Sequence, residues 1–214
     1  MNKMFAIGDI HGCAQKLREL IGFIAANREK DTLIFIGDYI DRGSFNRDVV
    51  DYVIQLKKEF KNVICLLGNH EQMLLNYLEG EDEETYLYNG GKVTLSDYGI
   101  KLSSSPDERK EKIPEAHLLF FQSLLPYHQT KDYIFVHAGL IPGISLDKQT
   151  IDALLWVRYK FIDSDYDFGR RVIFGHTPMN NPLIMANKIG IDTGAVYGGK
   201  LTCLELPKVR IYQV

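Results

Sequence analysis

An α/β fold built on parallel strands follows from three features of the 214-residue sequence. Over the first seventy residues one plan recurs three times: a short β-rich run, a tight loop containing Gly, then a helix. Each β-rich run is continuously apolar, the pattern of a strand covered on both faces. The stretches after the loops place apolar residues at i, i+3, i+4 and i+7, the stripe of an amphipathic helix.

The first unit takes residues 5–7 as strand, 8–12 as loop, and Leu17, Leu20, Ile21 and Ile24 as helical stripe. The second takes 33–36, 37–43, then Val49, Val50, Val53 and Ile54; the third takes 63–67, 68–71 and a helix through Leu78. Residues 79–84 hold five acids in six positions, a solvated helix end or loop. The segments 79–98 and 101–114 read as loops, and 114–125 as an amphipathic helix. Beyond it the chain turns β-rich, at 133–136, 171–174, 183–185, 188–191, 201–206 and 209–214, with a Gly-rich turn at 194–199. No linker or composition shift divides the chain, so residues 1–214 are expected to form one domain.

Composition narrows the function. With 25 basic and 28 acidic side chains the net charge is −3, against a broad basic face for a nucleic-acid polymer. An apolar fraction of 45% excludes disorder as the main state. No apolar run approaches the ~18 residues of a membrane span, and the residues before the first Gly loop are too few for a secretory signal. Cys13, Cys65 and Cys203 are odd in number and lack a CxxC pattern, which points to thiols and a cytoplasmic setting. Cys65 reads as a buried thiol, and Cys13 as a helix opener whose position could lower its pKa. Oligomeric state has no sequence signal.

Chemistry-bearing residues gather where strands end. Asp9 and His11 follow the first strand, Asp38 and Asp41 the second, and Asn69, His70 and Glu71 the third; His137 and His176 follow later strands. Carboxyl ends of neighbouring parallel strands converge on one crevice. The set is carboxylates, an amide and imidazoles without a thiolate, which suits Mn, Fe or Zn better than Ca or Mg. Asp9, His11, Asp38, Asn69, His137 and His176 are too many for one tetrahedral ion and about right for two that share a carboxylate. Two such ions hold the attacking and leaving oxygens of an in-line displacement. Arg42 can take two phosphate oxygens in its planar fork. Hydrolysis of a phosphoester uses all of these parts. The Gly-Asp-x-His-Gly pattern alone arises by chance about once in a thousand chains of this length. His117 and His128 match no pattern and read as structural.

Gly8-Asp9-Ile10-His11-Gly12, Gly37-Asp38-Tyr39-Ile40-Asp41-Arg42-Gly43 and Gly68-Asn69-His70-Glu71 resemble the phosphoprotein phosphatase branch of the calcineurin-like metallophosphoesterases. His137-Ala138-Gly139 and Gly175-His176-Thr177 match its two later motifs. The resemblance implies an αββα sandwich of two mixed sheets with a bimetal site at the strand C-terminal ends. It assigns Asp9, His11 and a bridging Asp38 to one metal, and Asp38, Asn69, His137 and His176 to the other. It makes His70 the proton donor to the leaving oxygen, oriented by Asp41, and Arg42 and Arg158 the phosphate-binding residues. A metal-bridging hydroxide would attack phosphorus directly. Two divalent ions are implied, Mn first and Fe or Zn next.

Two departures bear on substrate. Leu67 stands where many of these protein phosphatases carry Arg before Gly-Asn-His-Glu. The related symmetrical dinucleoside tetraphosphate hydrolases usually place Asp where this chain has Glu71. Glu71 and the complete Asp41-Arg42-Gly43 favour phosphomonoesters, so the expectation is a bacterial-type serine/threonine protein phosphatase acting on phosphorylated proteins or small phosphoesters. The alternatives are a symmetrical dinucleoside tetraphosphate hydrolase and, remotely, a catalytically silent phosphoprotein-binding scaffold.

Overall fold

A computed structural model of the protein describes residues 2–214. The three expected units appear in order: β1 (Met4–Ile7), α1 (Ala14–Phe23), β2 (Thr32–Phe35), α2 (Asn46–Glu59), β3 (Asn62–Cys65) and α3 (Asn69–Glu79). Four helices follow, α4 (Glu83–Tyr88), α5 (Lys92–Asp97), α6 (Pro106–Lys112) and α7 (Glu115–Gln122). The second half runs β4 (Tyr127–Gln129), β5 (Tyr133–Val136), α8 (Ile151–Trp156), α9 (Tyr159–Ile162), β6 (Arg171–Phe174), β7 (Leu183–Ile184) and β8 (Lys188–Gly190). A 3₁₀ turn at Ala195–Tyr197 then leads to β9 (Thr202–Leu206) and β10 (Arg210–Gln213).

Two mixed five-stranded sheets result, ordered β10-β9-β1-β2-β3 and β4-β5-β6-β8-β7. β1, β2 and β3 are mutually parallel, with Phe5 opposite Leu33 and Leu33 opposite Val63. β5, β6 and β8 repeat that arrangement in the second sheet. Side chains alternate between three apolar layers, which explains the continuous apolar runs. Phe5, Ile7, Leu33 and Phe35 pack under the first helices, whereas Ala6, Ile34 and Ile36 meet Phe135, Ile173 and Ile189 between the sheets. Ile134, Val136, Val172 and Phe174 face Leu154 and Phe161 on the far side. The layers are those of an αββα sandwich. Among the described residues no helix is long and apolar enough to cross a membrane.

Residues 79–98 and 101–114, expected as loops, are instead largely helical. α6 carries a capping box that a closer reading of the sequence would find: Ser105 accepts from the Glu108 N–H, Glu108 reaches back to the Ser105 N–H, and Pro106 opens the helix. α4 and α5 are one or two turns each, too short to show a helical period, and packing rather than local propensity holds them. β4, unanticipated, adds antiparallel to β5 at a sheet edge. Cys13 does precede α1, but burial pushes its thiol pKa up rather than down. His117 is structural as expected, bonded to the Tyr98 hydroxyl and to Asp51.

Candidate metal centre

The loops after β1, β2 and β3 are bound to one another through their backbones. Ile10 and His11 N–H groups donate to the Asp38 carbonyl, and Gly12 N–H donates to Tyr39. A side chain at Gly68 could not be accommodated, because its Cβ would lie 2.3 Å from the Asp38 nitrogen. Four residues at these turns, and His176 after β6, hold left-handed backbones without being glycine: His11 (φ 45°), Asp38 (53°), Asp41 (72°), Arg42 (68°) and His176 (63°). Each costs on the order of 1–3 kcal/mol and persists only because its surroundings over-determine it. That strain is concentrated where the expected ligands sit.

Asp9, His11, Asp38, Asn69, His137 and His176 are all buried at the C-terminal ends of β1, β2, β3, β5 and β6. Two groups have ligand atoms within 4.8 Å of one another: His11, Asp38 and His70, and Asp38, His137 and His176. Asp38 is common to both. Its Oδ2 lies 3.3 Å from His11 Nε2 and its Oδ1 3.4 Å from His137 Nε2. Asp9 stands outside both groups and takes the His176 backbone N–H at 3.0 Å.

The donor chemistry fits divalent cations. His11 Nδ1 donates to the Ile40 carbonyl at 2.7 Å and His137 Nδ1 to the Ile36 carbonyl at 2.8 Å, so each Nε2 presents a lone pair. His137 Nε2 faces the Asn69 Oδ1 at 2.9 Å, and His176 Nδ1 reaches the same oxygen at 2.9 Å. Nε2 of His176 and Nε2 of His70 are buried without a hydrogen-bond partner. Burial and the adjacent His137 push His176 down to about 2, and burial likewise lowers His137, which favours the neutral form that coordinates. Burial would raise Asp38, but the imidazoles of His137, His70 and His11 outweigh it and hold the carboxyl well below its usual range. Burial, Asp192 and Asp38 together push Asp9 well up. A cation relieves that crowding of carboxylates.

His70 and Asp41 form the expected pair, with Nδ1 2.7 Å from Oδ2. Sequence reasoning missed what holds Asp41. Its other oxygen accepts from the Tyr86 hydroxyl at 2.9 Å and from Thr94 Oγ1 at 2.5 Å. Tyr86 and Thr94, both fully buried, come from α4 and α5, inside the segment that read as loop. They act on Asp41 across gaps of 45 and 53 residues, so no local pattern announces them.

Glu71 also differs from its expected meaning. Its carboxylate faces inward and accepts from four backbone N–H groups: Asp38 (2.9 Å), Tyr39 (2.8 Å), Ile40 (3.3 Å) and Gly68 (3.1 Å). The side chain fastens the β2 loop to the start of α3, so a Glu here supports the loops. Glu71→Ala leaves four N–H groups without this acceptor, each worth roughly 1–3 kcal/mol when buried and unpaired. The expected result is destabilisation by about 3 kcal/mol or more, measured by urea unfolding. A midpoint equal to that of the wild type would show that other acceptors take over those N–H groups.

Arg42 Nη1 donates to His11 Nε2 at 2.6 Å, a cation already on the lone pair that a metal would take. Arg158 is exposed at the start of α9, and its charge adds to the effects holding His176 down. Leu67 is buried in the first apolar layer, so it offers no polar substitute for an arginine. Asp192, just past β8, is a buried carboxylate that was not among the expected ligands. Its pKa is raised by burial, while the Gly194 N–H, 3.0 Å from its Oδ1, works to lower it. Its signal was available: Gly190-Ile191-Asp192 repeats the placement of an acid just after a strand.

Comparison with known proteins agrees with this geometry. A bis(5'-nucleosyl)-tetraphosphatase PrpE [asymmetrical] of Bacillus mycoides (strain KBAB4) is 28% identical over 233 residues, covering 97% of this chain and 92% of the relative. A solved structure named for diadenosine tetraphosphatase activity superposes with a TM-score of 0.76 at 22% identity, covering 100% of this chain and 93% of the other. A cold-active protein tyrosine phosphatase follows at TM-score 0.74 and 18% identity, covering 100% of this chain and 76% of the other. At these identities the structures share the fold. The family model described as calcineurin-like phosphoesterase matches residues 3–210, nearly the whole chain, and the protein belongs to that family.

Proposed function

We propose that this chain hydrolyses phosphoric anhydride and ester bonds at a two-metal centre, with dinucleoside polyphosphates as its substrate class. One observation carries the two-metal reading: Asp38 belongs to both His/Asp groups. Asp9, His11 and Asp38 would hold one ion; Asp38, Asn69, His137 and His176 would hold the other. The mixed nitrogen and oxygen set favours Mn, then Fe or Zn. When bound, such ions acidify the attacking water and neutralise phosphoryl oxygens.

The remaining work falls to side chains. Arg42 and Arg158 bind non-bridging phosphate oxygens. His70 gives a proton from Nε2 to the leaving oxygen, while Asp41, 2.7 Å from Nδ1, holds the ring in place. Tyr86 and Thr94 keep Asp41 from rotating. Arg42→Ala and Arg158→Ala each remove a charge-assisted bond of ~1.5–3 kcal/mol, so kcat/KM is expected to fall about ten- to a hundredfold. Wild-type kinetics for Arg158→Ala would remove that residue from phosphate binding.

The names of the curated relatives support the dinucleoside substrate. Glu71 is buried and bonded to backbone N–H groups, so the side chain itself is not placed to choose among substrates. A serine/threonine protein phosphatase is the second reading, favoured by the His70–Asp41 pair, since an alkoxide leaves only with a proton. Incubation with Mn decides between them. Diadenosine tetraphosphate cleaved asymmetrically releases ATP and AMP, symmetrical cleavage releases two ADP, and a protein phosphatase releases phosphate from a phosphoserine peptide. Absence of turnover on all three would overturn both readings.

A further inference from the structure

Among the described residues seven aromatic side chains are notably exposed, including Trp156 (39%) and Tyr197 (62%), and solitary exposed aromatics ordinarily need no explanation. These two differ because Trp156 packs on a proposed ligand and Tyr197 on the arginine that contacts one. The Tyr197 ring centroid lies 5.7 Å from the Arg42 guanidinium, whose Nη1 contacts His11. The Trp156 ring lies edge-on to His176 with centroids 5.9 Å apart. Between them the contacts run from His11 to one oxygen of Asp38, and from the other oxygen to His137, whose ring is 5.0 Å from that of His176. The aromatics thus stand at the two ends of one path through the site. Tyr197 has Arg42 against it, and Arg158, two residues on from Trp156 in the sequence, is near enough to His176 for its charge to act there. A cavity of about 160 Å³ opens next to Tyr197, bordered by Pro178, Met179, Thr193 and Gly194.

We infer that Trp156 and Tyr197 are nucleobase-stacking platforms, one for each end of a phosphate chain whose middle lies on the metals. An arginine takes phosphate oxygens and its neighbouring aromatic takes the base, at both ends. Stacking is tolerant of base identity because every base has a π-face, so the platforms select nucleosides without choosing among them. The proposal rests on the phosphohydrolase reading of the site and adds to it the residues that recognise the nucleosides.

Trp156 is the only tryptophan in the chain, so its fluorescence reports that platform alone. A methylene-bridged, non-hydrolysable diadenosine tetraphosphate is expected to quench it saturably in the Mn-loaded enzyme, while inorganic tripolyphosphate at the same concentration leaves it unchanged. In kinetics, Trp156→Ala and Tyr197→Ala should each raise KM for diadenosine tetraphosphate about tenfold, since stacking contributes ~1–3 kcal/mol per base. Any loss of kcat/KM on tripolyphosphate should be at least tenfold smaller than the loss on the dinucleotide, and Trp156→Phe and Tyr197→Phe should restore KM. Equal losses on both substrates, or no change on the dinucleotide, would overturn the platforms while leaving the phosphohydrolase intact. A wild-type enzyme inactive on both substrates would instead overturn the underlying reading, and the platforms with it.

Discussion

Asp38→Asn is expected to abolish hydrolysis and to reduce bound metal from two ions per chain to one or none, measured by elemental analysis after gel filtration. The residue contributes one oxygen toward His11 and the other toward His137, so both proposed ions would depend on it. An amide keeps the shape but loses the negative charge that two adjacent cations need between them. The same carboxylate accepts the His70 backbone N–H at 3.2 Å, so the start of α3 is also tied to it. Retention of two tightly bound ions by Asp38→Asn would show that another group bridges them, with Asp9 and Asp192 the nearest candidates by charge.

The second large effect is expected from His70→Asn, with kcat falling about 10²–10⁴-fold, the usual loss for a general acid. The loss should depend on the leaving group. An alkyl phosphate such as phosphoserine departs as a strongly basic alkoxide and needs the proton. A nitrophenyl ester or a phosphoric anhydride departs as a much weaker base and needs it less. Asp41→Asn should repeat the pattern in weaker form, because Tyr86 and Thr94 still hold the side chain while its charge is gone. Metal content must be measured alongside, since His70 Nε2 lies 4.0 Å from Asp38 Oδ2, close to one of the proposed ions. Equal losses on alkyl and nitrophenyl esters, with metals retained and chemistry rate-limiting, would limit His70 to positioning the substrate.

What could be read from the chain beforehand was whatever is local. The α/β class follows from apolar runs and helical stripes that each occupy a dozen residues or fewer. The proposed ligands were recognisable because metal chemistry admits few residue types and each one stands within four residues of a strand end. Asp9, His11, Asp38, Asn69, His137 and His176 all satisfy both conditions.

Tertiary structure decided everything that depends on meeting through space. Glu71 looked like a clue to substrate until its oxygens were found on the N–H groups of Asp38, Tyr39 and Ile40, more than thirty residues away. Tyr86 and Thr94 lay in a segment without a period, because α4 and α5 are too short to carry one; only packing turns their hydroxyls onto Asp41. Trp156 ends α8 and Tyr197 ends a 3₁₀ turn 41 residues later, at opposite ends of the contacts that run through Asp38. A strand or helix leaves its mark on neighbours in sequence because its geometry repeats every two to four residues. A contact between distant segments has no such repeat, so the ligand types were set by sequence, and their partners, tautomers and flanking surfaces by the fold.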